Sequence, residues 1–460
     1  MQAARRRLRF GIVATALLAL SAAGPSAAQP PPGAGPPRPA AQGGARANAL
    51  RYTVRPGDNL DRICDLLRER AGYYANDDML AAIRRANRLQ TNHVRPGTEL
   101  VVPLAAADAA PRVVRTVASG APVRGIYLAA PACGAGSVLE RVDRFIAAGG
   151  NTVVFDAKDV DGAVSYRSAV ALAGWGPGRA APVIPSLPVM LDRFHARGLH
   201  VVARVAVFLD GELGEKRPDL AVLGPGGSRA RALGAAWLDP SSPAVQAYNL
   251  ELAVELAHAG VDEVQLDYVR YPAGLRFGCA AGERSRDPGA CAAHRAGVIG
   301  AFVAQVRDSL RARGVAMSVV LDGALGWEAG APVRADGQDP AVLAAAADIL
   351  CPTVFPSLLA PVLAGRPWPV DQPGLVSAEA VRRLRARAGE QAHIRPWLQA
   401  FPWLAQACDG RFVAAQVRGA EVAGAAGWCL WNPASQYQAC LPEVAMPATA
   451  LAAAVASGSR

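Results

Sequence analysis

Carboxylate and cationic side chains stand near the C-terminal ends of several strand-like segments in the second half of the chain. They are Asp156, Lys158, Arg204, Asp267 and Asp322. Side chains alternate along a strand with a period of two, so these residues would share one face, opposite apolar neighbours such as Val264 and Leu266. Two carboxyl groups that face each other across a cleft can cleave a glycosidic bond, one as nucleophile and the other as proton donor. Structural ion pairs would produce the same pattern.

Aromatic and amide side chains accompany the charged residues. The chain is only 6% aromatic, yet Tyr268, Trp397 and Trp431 fall at or next to strand ends. Aromatic faces beside carboxylates suit sugar rings, which stack through C–H groups while their hydroxyls accept and donate hydrogen bonds. The sequence therefore predicts a sugar-binding mouth, in which hydroxyls would also be held by Lys158, Arg204, Arg270, Gln399 and Asn432.

An α/β barrel would bring these strand ends together. Strand-like runs cover 125–130, 152–158, 201–208, 264–271, 316–321, 349–355, 394–401 and 428–431, with amphipathic helical stretches between them. Eight alternations of strand and helix over this length predict a (β/α)8 TIM barrel, whose reacting groups lie at the C-terminal ends of its strands. A doubly wound open sheet is the alternative, but no Gly-x-Gly-x-x-Gly follows the first strand.

Residues 51–104 predict a separate small βααβ domain. A strand-like run begins at Tyr52, a turn at Pro56-Gly57 precedes a helical period, a second helix ends near Asn87, and a second strand reaches Pro103. The string Tyr52-Thr-Val-Arg-Pro-Gly-Asp-Asn-Leu, the Ala86-Asn87 pair and the closing Arg95-Pro-Gly-Thr-Glu-Leu-Val-Val-Pro resemble a LysM module.

The LysM resemblance implies binding of peptidoglycan or another glycan that contains N-acetylglucosamine. Its implied binding residues are Gly57, Asp58, Asn59, Leu60 and Asn87. The span between Leu60 and Asn87 is several residues longer than is usual in this family. A LysM fold that has lost sugar binding, or that binds protein, is the alternative.

The region 124–446 resembles a bacterial TIM-barrel family of inferred glycoside hydrolases that is distantly similar to alpha-amylases. The resemblance is carried by Arg124-Gly-Ile-Tyr-Leu, Phe155-Asp-Ala-Lys-Asp, Ala203-Arg-Val-Ala-Val-Phe, Trp237-Leu-Asp-Pro, Asp262-Glu-Val-Gln-Leu-Asp-Tyr-Val-Arg-Tyr-Pro, Arg395-Pro-Trp-Leu-Gln-Ala-Phe and Gly427-Trp-Cys-Leu-Trp-Asn. It implies that Asp267 is the nucleophile and that Arg204 is its countercharge. The acid at the end of the fifth strand is usually Glu in amylase-like barrels, so the acid here remains open between Asp322 and Asp156.

The remaining segments predict export. Residues 1–28 have a basic start, a short apolar run and small residues at a cleavage site, as in a secretory signal. Residues 29–50 and 105–123 are predicted linkers, and 447–460 a flexible tail. No later stretch is long enough to predict a transmembrane segment. The expected location is periplasmic or secreted, in association with the cell wall.

The net charge of +10 does not indicate nucleic-acid binding, because four arginines belong to the first nine residues and the others form no basic stripe. Eight cysteines fit an oxidising compartment. Cys279 with Cys291, and less strongly Cys408 with Cys440, are the predicted disulfide pairs. No Cys/His spacing predicts a metal site, and no cofactor is expected.

Taken together, these patterns predict an exported glycoside hydrolase that is anchored to the cell wall by LysM and acts on a polysaccharide through two carboxyl groups. A non-catalytic glycan-binding or scaffold protein with an inactive barrel is the main alternative. A polysaccharide deacetylase or another metal-assisted enzyme is a weaker one, because the histidines include no convincing inward pair.

Overall fold

The computed structural model describes residues 49–73, 76–105, 122–173, 182–224, 227–272, 288–328, 335–363, 371–402 and 408–441. The predicted signal (1–28), most of the linkers (29–50 and 105–123) and the tail (447–460) lie outside these ranges. No helix in the described ranges is long and apolar enough to cross a membrane.

The N-terminal module has the predicted βααβ order. Its elements are β1 (Ala49–Thr53), α1 (Leu60–Ala71), α2 (Asn76–Asn87) and β2 (Glu99–Pro103). β1 and β2 pair antiparallel, with Tyr52 opposite Leu100. The helices bury Leu60, Ile63 and Met79 against this two-stranded sheet. These residues form a core of their own, so the module does not depend on the barrel for its hydrophobic contacts.

Eight parallel strands form a closed barrel in sequence order, which confirms the predicted (β/α)8 fold. The strands are β3 (Val123–Leu128), β4 (Thr152–Lys158), β5 (His200–Ala206), β8 (Glu263–Asp267), β9 (Ala316–Asp322), β10 (Ile349–Val354), β11 (Trp397–Gln399) and β12 (Gly427–Trp431). β12 pairs with β3 and closes the ring.

Helices cover the outside of this ring. They are α3 (Ala130–Gly134), α4 (Val138–Ala147), α5 (Leu187–Ala196), α6 (Gly211–Lys216), α7 (Pro243–Ala259), α8 (Pro288–Arg311), α9 (Pro340–Ala346), α10 (Pro356–Leu359), α11 (Pro373–Ala388) and α12 (Gly410–Val422). Two 3-10 turns occupy Pro218–Leu220 and Gly323–Trp327, and a small antiparallel pair, β6 (Arg231–Ala232) and β7 (Ala235–Ala236), lies in the connection after β5.

The interior of the barrel is closed at its N-terminal end by a buried ion pair. Glu263 at the start of β8 accepts hydrogen bonds from both terminal nitrogens of Arg395, and His200 at the start of β5 contacts the same carboxylate at 3.1 Å. Burial alone would raise the pKa of Glu263, but Arg395 and His200 outweigh burial and lower the pKa below its usual range. This end of the barrel is therefore a packed polar floor, and the open mouth lies at the opposite end.

Candidate active site at the barrel mouth

The Arg204 guanidinium is the centre of the mouth. It lies near the C-terminal end of β5, with its side chain 3% exposed. Nη2 lies 2.7 Å from Asp267 Oδ2, Nη1 donates to Asp156 Oδ1, and Nη1 is 3.5 Å from Asp159 Oδ1. One buried cation therefore contacts carboxylates from β4, from β8 and from the loop after β4. The structure brings together the predicted residues Asp156, Arg204 and Asp267.

Both oxygens of Asp267, the last residue of β8, accept hydrogen bonds. Arg204 Nε donates to Oδ2 at 2.8 Å, and the backbone N–H of Tyr268 donates to Oδ1 at 2.6 Å. The side chain is still 16% exposed. Tyr268 has a φ of 54°, a left-handed backbone that is uncommon outside glycine and that collects at functional sites. Asp267 is thus oriented firmly and remains open on the mouth side.

Asp156 lies deeper in the barrel than Asp267, and its side chain is only 3% exposed. Its Oδ2 accepts a hydrogen bond from the Tyr127 hydroxyl, while Oδ1 is held by Arg204. Burial raises the pKa of Asp156 to about 7, although Arg204 and the Tyr127 hydrogen bond act in the opposite direction. The raised pKa favours the protonated form of Asp156 relative to an exposed aspartate.

Two tryptophans lie near Arg204: Trp431 is half-buried, and Trp397 is fully enclosed. Trp431 stacks on Tyr127 with ring centroids 3.9 Å apart, and the Arg204 guanidinium carbon lies 5.0 Å from the Trp431 ring centroid. Trp397 is 1% exposed, and its indole N–H donates to Gln265 inside the barrel at 3.2 Å. Trp431 can offer surface to a sugar, whereas Trp397 supports Trp431 edge-on from below.

Asp322 ends β9, on the strand next to β8. Its Oδ1 accepts the N–H of Ala324 at 3.0 Å and thereby caps the 3-10 turn that follows. Its own N–H donates to the Gln338 side chain at 3.1 Å. Asp322 is intermediate in exposure, so it stays a candidate proton donor at the rim.

The prediction that Lys158 faces the mouth is wrong. The pairing of β4 with β5 shifts between Asp156 and Lys158, so Lys158 comes opposite Val205, whose side chain packs outside the barrel. There Lys158 is 1% exposed, forms an ion pair with Asp210 at 2.7 Å, and lies 4.7 Å from the Tyr248 ring centroid. This β-bulge reverses the alternation of side chains, and it removes Lys158 from the site.

Gln399 and Asn432 are likewise bonded within the protein, not directed at the mouth. Gln399 is fully buried and contacts the side chain and backbone of Ser357. Asn432 is 8% exposed, donates to the carbonyls of Ala400 and Gln436, and accepts from the N–H of Ala434. Both side chains therefore hold backbone segments together at the rim.

Arg270 is 24% exposed and follows β8 by three residues. Its guanidinium carbon lies 5.2 Å from the Trp237 ring centroid, and Nη1 is 3.8 Å from Asp336 Oδ2. The face of an indole ring attracts a cation at this distance. Arg270 is therefore a cation beside the site, with no contact to Arg204 or Asp267 among the interactions of the described residues.

Asp159 is a site residue that sequence reasoning missed. Its side chain is 35% exposed and lies 3.5 Å from Arg204. The signal was present, because Asp159 is the last residue of the segment Phe155-Asp-Ala-Lys-Asp. Tyr127 was missed in the same way, although it belongs to Arg124-Gly-Ile-Tyr-Leu.

In the N-terminal module, most of the implied sugar-binding residues make hydrogen bonds that hold the module together. Asn59 Oδ1 accepts the N–H of Arg62 and caps α1, and Asp58 Oδ2 accepts from Tyr52 and Arg55. Asn87 exchanges hydrogen bonds with the backbone of Val101 in β2. Asp58, Asn59 and Asn87 therefore stabilise the fold of the module through these bonds.

The loops after β1 and before β2 lie side by side. The N–H of Leu60, which is itself fully buried, donates to the carbonyl of Asn92 at 3.2 Å. Gly57 is exposed with a φ of 85°, and its N-terminal neighbours Arg55 and Pro56 are exposed as well. An exposed surface between these two loops is therefore available to a ligand.

The cysteines bear out the predictions unevenly. Cys291 is disulfide-bonded, and its predicted partner Cys279 lies outside the described residues. Cys408 and Cys440 carry free thiols, so the second predicted disulfide is wrong. Within the described residues, no group of three or more His, Cys, Asp and Glu side chains could hold a metal ion.

Two family models match the chain. Residues 125–437 match the family described as "Putative glycosyl hydrolase domain", and residues 52–103 match the LysM domain. No curated protein matches the sequence.

Solved structures with a TM-score above 0.5 share the barrel fold. The glycoside hydrolase domain of PgaB from Bordetella bronchiseptica is 14% identical, with a TM-score of 0.52, over 68% of this chain and 95% of that one. A beta-galactosidase from the psychrophilic Marinomonas ef1 is 12% identical, with a TM-score of 0.51, over 73% and 60%. A hypothetical protein from Ruminiclostridium thermocellum is 29% identical over 42% of this chain and 96% of that one, with a TM-score of 0.35. At these identities the first two matches show the fold alone.

Proposed function

Because the chain belongs to this glycosyl hydrolase family and carries a LysM domain, we propose that it is an exported, cell-wall-associated enzyme that hydrolyses a glycan by a two-carboxylate mechanism. The observation that carries the mechanism is the Arg204 guanidinium, which holds the partly exposed Asp267 at the C-terminal mouth of the barrel. Reacting groups of such barrels lie at this end.

In the proposed reaction, Asp267 attacks the anomeric carbon through an oxocarbenium-like transition state. Arg204 and the N–H of Tyr268 fix both carboxylate oxygens, so little reorganisation is needed before attack. Asp322 donates a proton to the leaving oxygen as the glycosidic bond breaks, and Trp431 supports the sugar ring. Asp322, now ionised, then takes a proton from a water molecule, whose oxygen attacks the anomeric carbon and releases Asp267 from the glycosyl-enzyme ester. Asp322 is preferred over Asp156 because Asp156 is enclosed by Tyr127 and Arg204.

The LysM module would hold the enzyme on peptidoglycan or another N-acetylglucosamine polymer. Its own hydrophobic core and the exposed surface between its two loops support a separate binding role. Tethering raises the local concentration of substrate at the barrel without changing the catalytic groups. The polymer that is cleaved is either the anchoring glycan or another one attached to it.

The proposal is tested by the release of reducing ends from peptidoglycan, chitin, and α- and β-linked glucans. The wild type should act on at least one, and Asp267→Asn should lower the rate at least about 1000-fold, because it removes the nucleophile. Asp161→Asn changes an exposed carboxylate in the loop after β4 and should match the wild type. Binding without turnover by the wild type would instead support the non-catalytic scaffold.

A further inference from the structure

The carboxylates around Arg204 outnumber their cation. Asp156, Asp159 and Asp267 all lie within 3.5 Å of the same guanidinium. The exposed fractions of these side chains differ: 3% for Asp156, 35% for Asp159 and 16% for Asp267. Excess negative charge is most costly where water is excluded, so a proton is most readily retained at the deepest position.

The groups that face Asp156 come from several elements. Tyr127 of β3 and Arg204 of β5 contact its two oxygens, Asp159 approaches Arg204 from the following loop, and Cys133 of α3 lies nearby with a neutral thiol. Burial raises the pKa of the Cys133 thiol beyond the physiological range. Arg204 is thus the cation in contact with Asp156, and it is shared with Asp267 and Asp159.

We propose that Asp156 is a positioning residue that works in its protonated form, holding Arg204 against Asp267 without transferring a proton to the substrate. When Asp156 is neutral, the charge of Arg204 is directed to Asp267 and to the more exposed Asp159. When Asp156 ionises, it competes with Asp267 for the same guanidinium. The inference rests on the proposed function, because it takes Asp267 to be the reacting carboxylate.

Hydrogen bonding is compatible with both states of Asp156. In the ionised form the Tyr127 hydroxyl donates to Oδ2. In the protonated form the Oδ2 hydroxyl donates to the Tyr127 oxygen, and the Tyr127 hydrogen rotates away. Oδ1 accepts from Arg204 in either state, so protonation changes the charge at this position and leaves the packing unchanged.

This arrangement gives the activity a pH dependence with a definite sign. Burial raises the pKa of Asp156 to about 7. The protonated fraction of Asp156 should therefore decrease between pH 6 and pH 8, and the rate should fall across this interval. The hydrogen bond from Tyr127 lowers the pKa of Asp156, so Tyr127→Phe should move the fall to higher pH.

Asp156→Asn tests the role directly, because asparagine imitates the neutral carboxyl group. We expect kcat/KM at pH 6 within about 3-fold of the wild type, and no fall between pH 6 and pH 8. Asp156→Ala leaves Arg204 without this support and should lose about 100-fold, the cost of a small displacement of a catalytic group. Asp161→Asn should reproduce the wild-type rate and pH profile.

A second readout does not depend on turnover. The folded-state pKa of Asp156 is raised above the ordinary value of about 3.9. Its contribution to stability is therefore full below pH 4 and is lost as pH rises through 7, so the wild type should lose stability relative to Asp156→Asn between pH 4 and pH 8.

The outcomes are distinct. Loss of turnover in Asp156→Asn at pH 6, with the protein folded and the wild type active, would make Asp156 the proton donor and overturn the inference. An unchanged alkaline fall in Asp156→Asn would also overturn it. A wild type without turnover would refute the proposed function, whereas the stability comparison would still test the proton on Asp156.

Discussion

The single positive charge of Arg204 is shared by Asp156, Asp159 and Asp267, which differ in how deeply they are buried. Asp267 is reached from two guanidinium nitrogens and one backbone N–H, while Asp156 is shut in by Tyr127. A buried cation with several partners is costly to desolvate and is fixed in place by them. At the scale of single residues, the site is thus organised around Arg204 as its fixed point.

The proton donor can be identified by comparing Asp322→Asn with Asp159→Asn. Asp322 should give the larger effect, a loss of about 100-fold or more on a glycan with a poor leaving group, because protonation of the leaving oxygen typically contributes this much. On an aryl glycoside with a good leaving group, Asp322→Asn should lose far less. Initial rates on both substrates measure the difference, and the same pattern in Asp159→Asn would transfer the role to Asp159.

Residue-level prediction succeeded where strand alternation held. Asp267 faces inward as the period of two requires, as do Gln265 and Glu263 at alternate positions before it on β8, and Arg204 lies beside Asp267. It failed at Lys158, because a register shift between β4 and β5 depends on the pairing of two strands and has no signature in either one alone. Asp159 lies past the strand end, where the alternation no longer assigns a direction.

At the scale of elements, the eight strands and their order could be predicted from the rhythm of apolar segments. Strand β4 has the predicted bounds, whereas β11 is shorter than the run 394–401 that predicted it. The pairing is interrupted rather than absent: Ile394 still bridges to Leu350 of β10 and the Arg395 N–H donates to the Leu350 carbonyl, whereas Pro396 has no N–H to donate to a neighbouring strand. The apolar run therefore predicted where the chain pairs with β10, but not the interruption of the strand at Pro396.

The floor of the barrel should make stability depend on pH. Glu263→Gln leaves the 1%-exposed Arg395 without its countercharge, so the free energy of unfolding at pH 7 should fall by about 3 to 5 kcal/mol. The pKa of Glu263 is lowered, so its stabilisation is present above pH ~4.3 and is lost as pH falls below that value. Urea unfolding at pH 7 and pH 3 measures both effects, and the two proteins should become more alike at pH 3.

A surface glutamate provides the control for this experiment. Glu379 on α11 pairs with Arg382 and Arg383 in partly exposed positions, so Glu379→Gln should change the free energy of unfolding by less than about 1 kcal/mol. An equal effect of the two substitutions would contradict the special role of the buried pair.

At the scale of the whole molecule, the LysM module and the barrel have separate hydrophobic cores. A variant that lacks residues 49–105 should therefore keep its barrel and its kcat on soluble oligosaccharides. Its affinity for insoluble glycan should fall by about 100-fold, because a second binding site is lost. Pull-down with the insoluble polymer and rates on soluble substrate measure the two effects. Unchanged binding to the polymer would mean that the module is not the anchor.

The central claim is that this barrel hydrolyses a glycosidic bond through Asp267. Its most direct test is digestion of the responsive glycan in water enriched in oxygen-18, followed by mass spectrometry of the fragments. We predict that each new reducing end made by the wild type carries one labelled oxygen, and that Asp267→Asn, folded to the same extent, makes almost none. Fragments without label, or equal yields from the two proteins, would contradict the account.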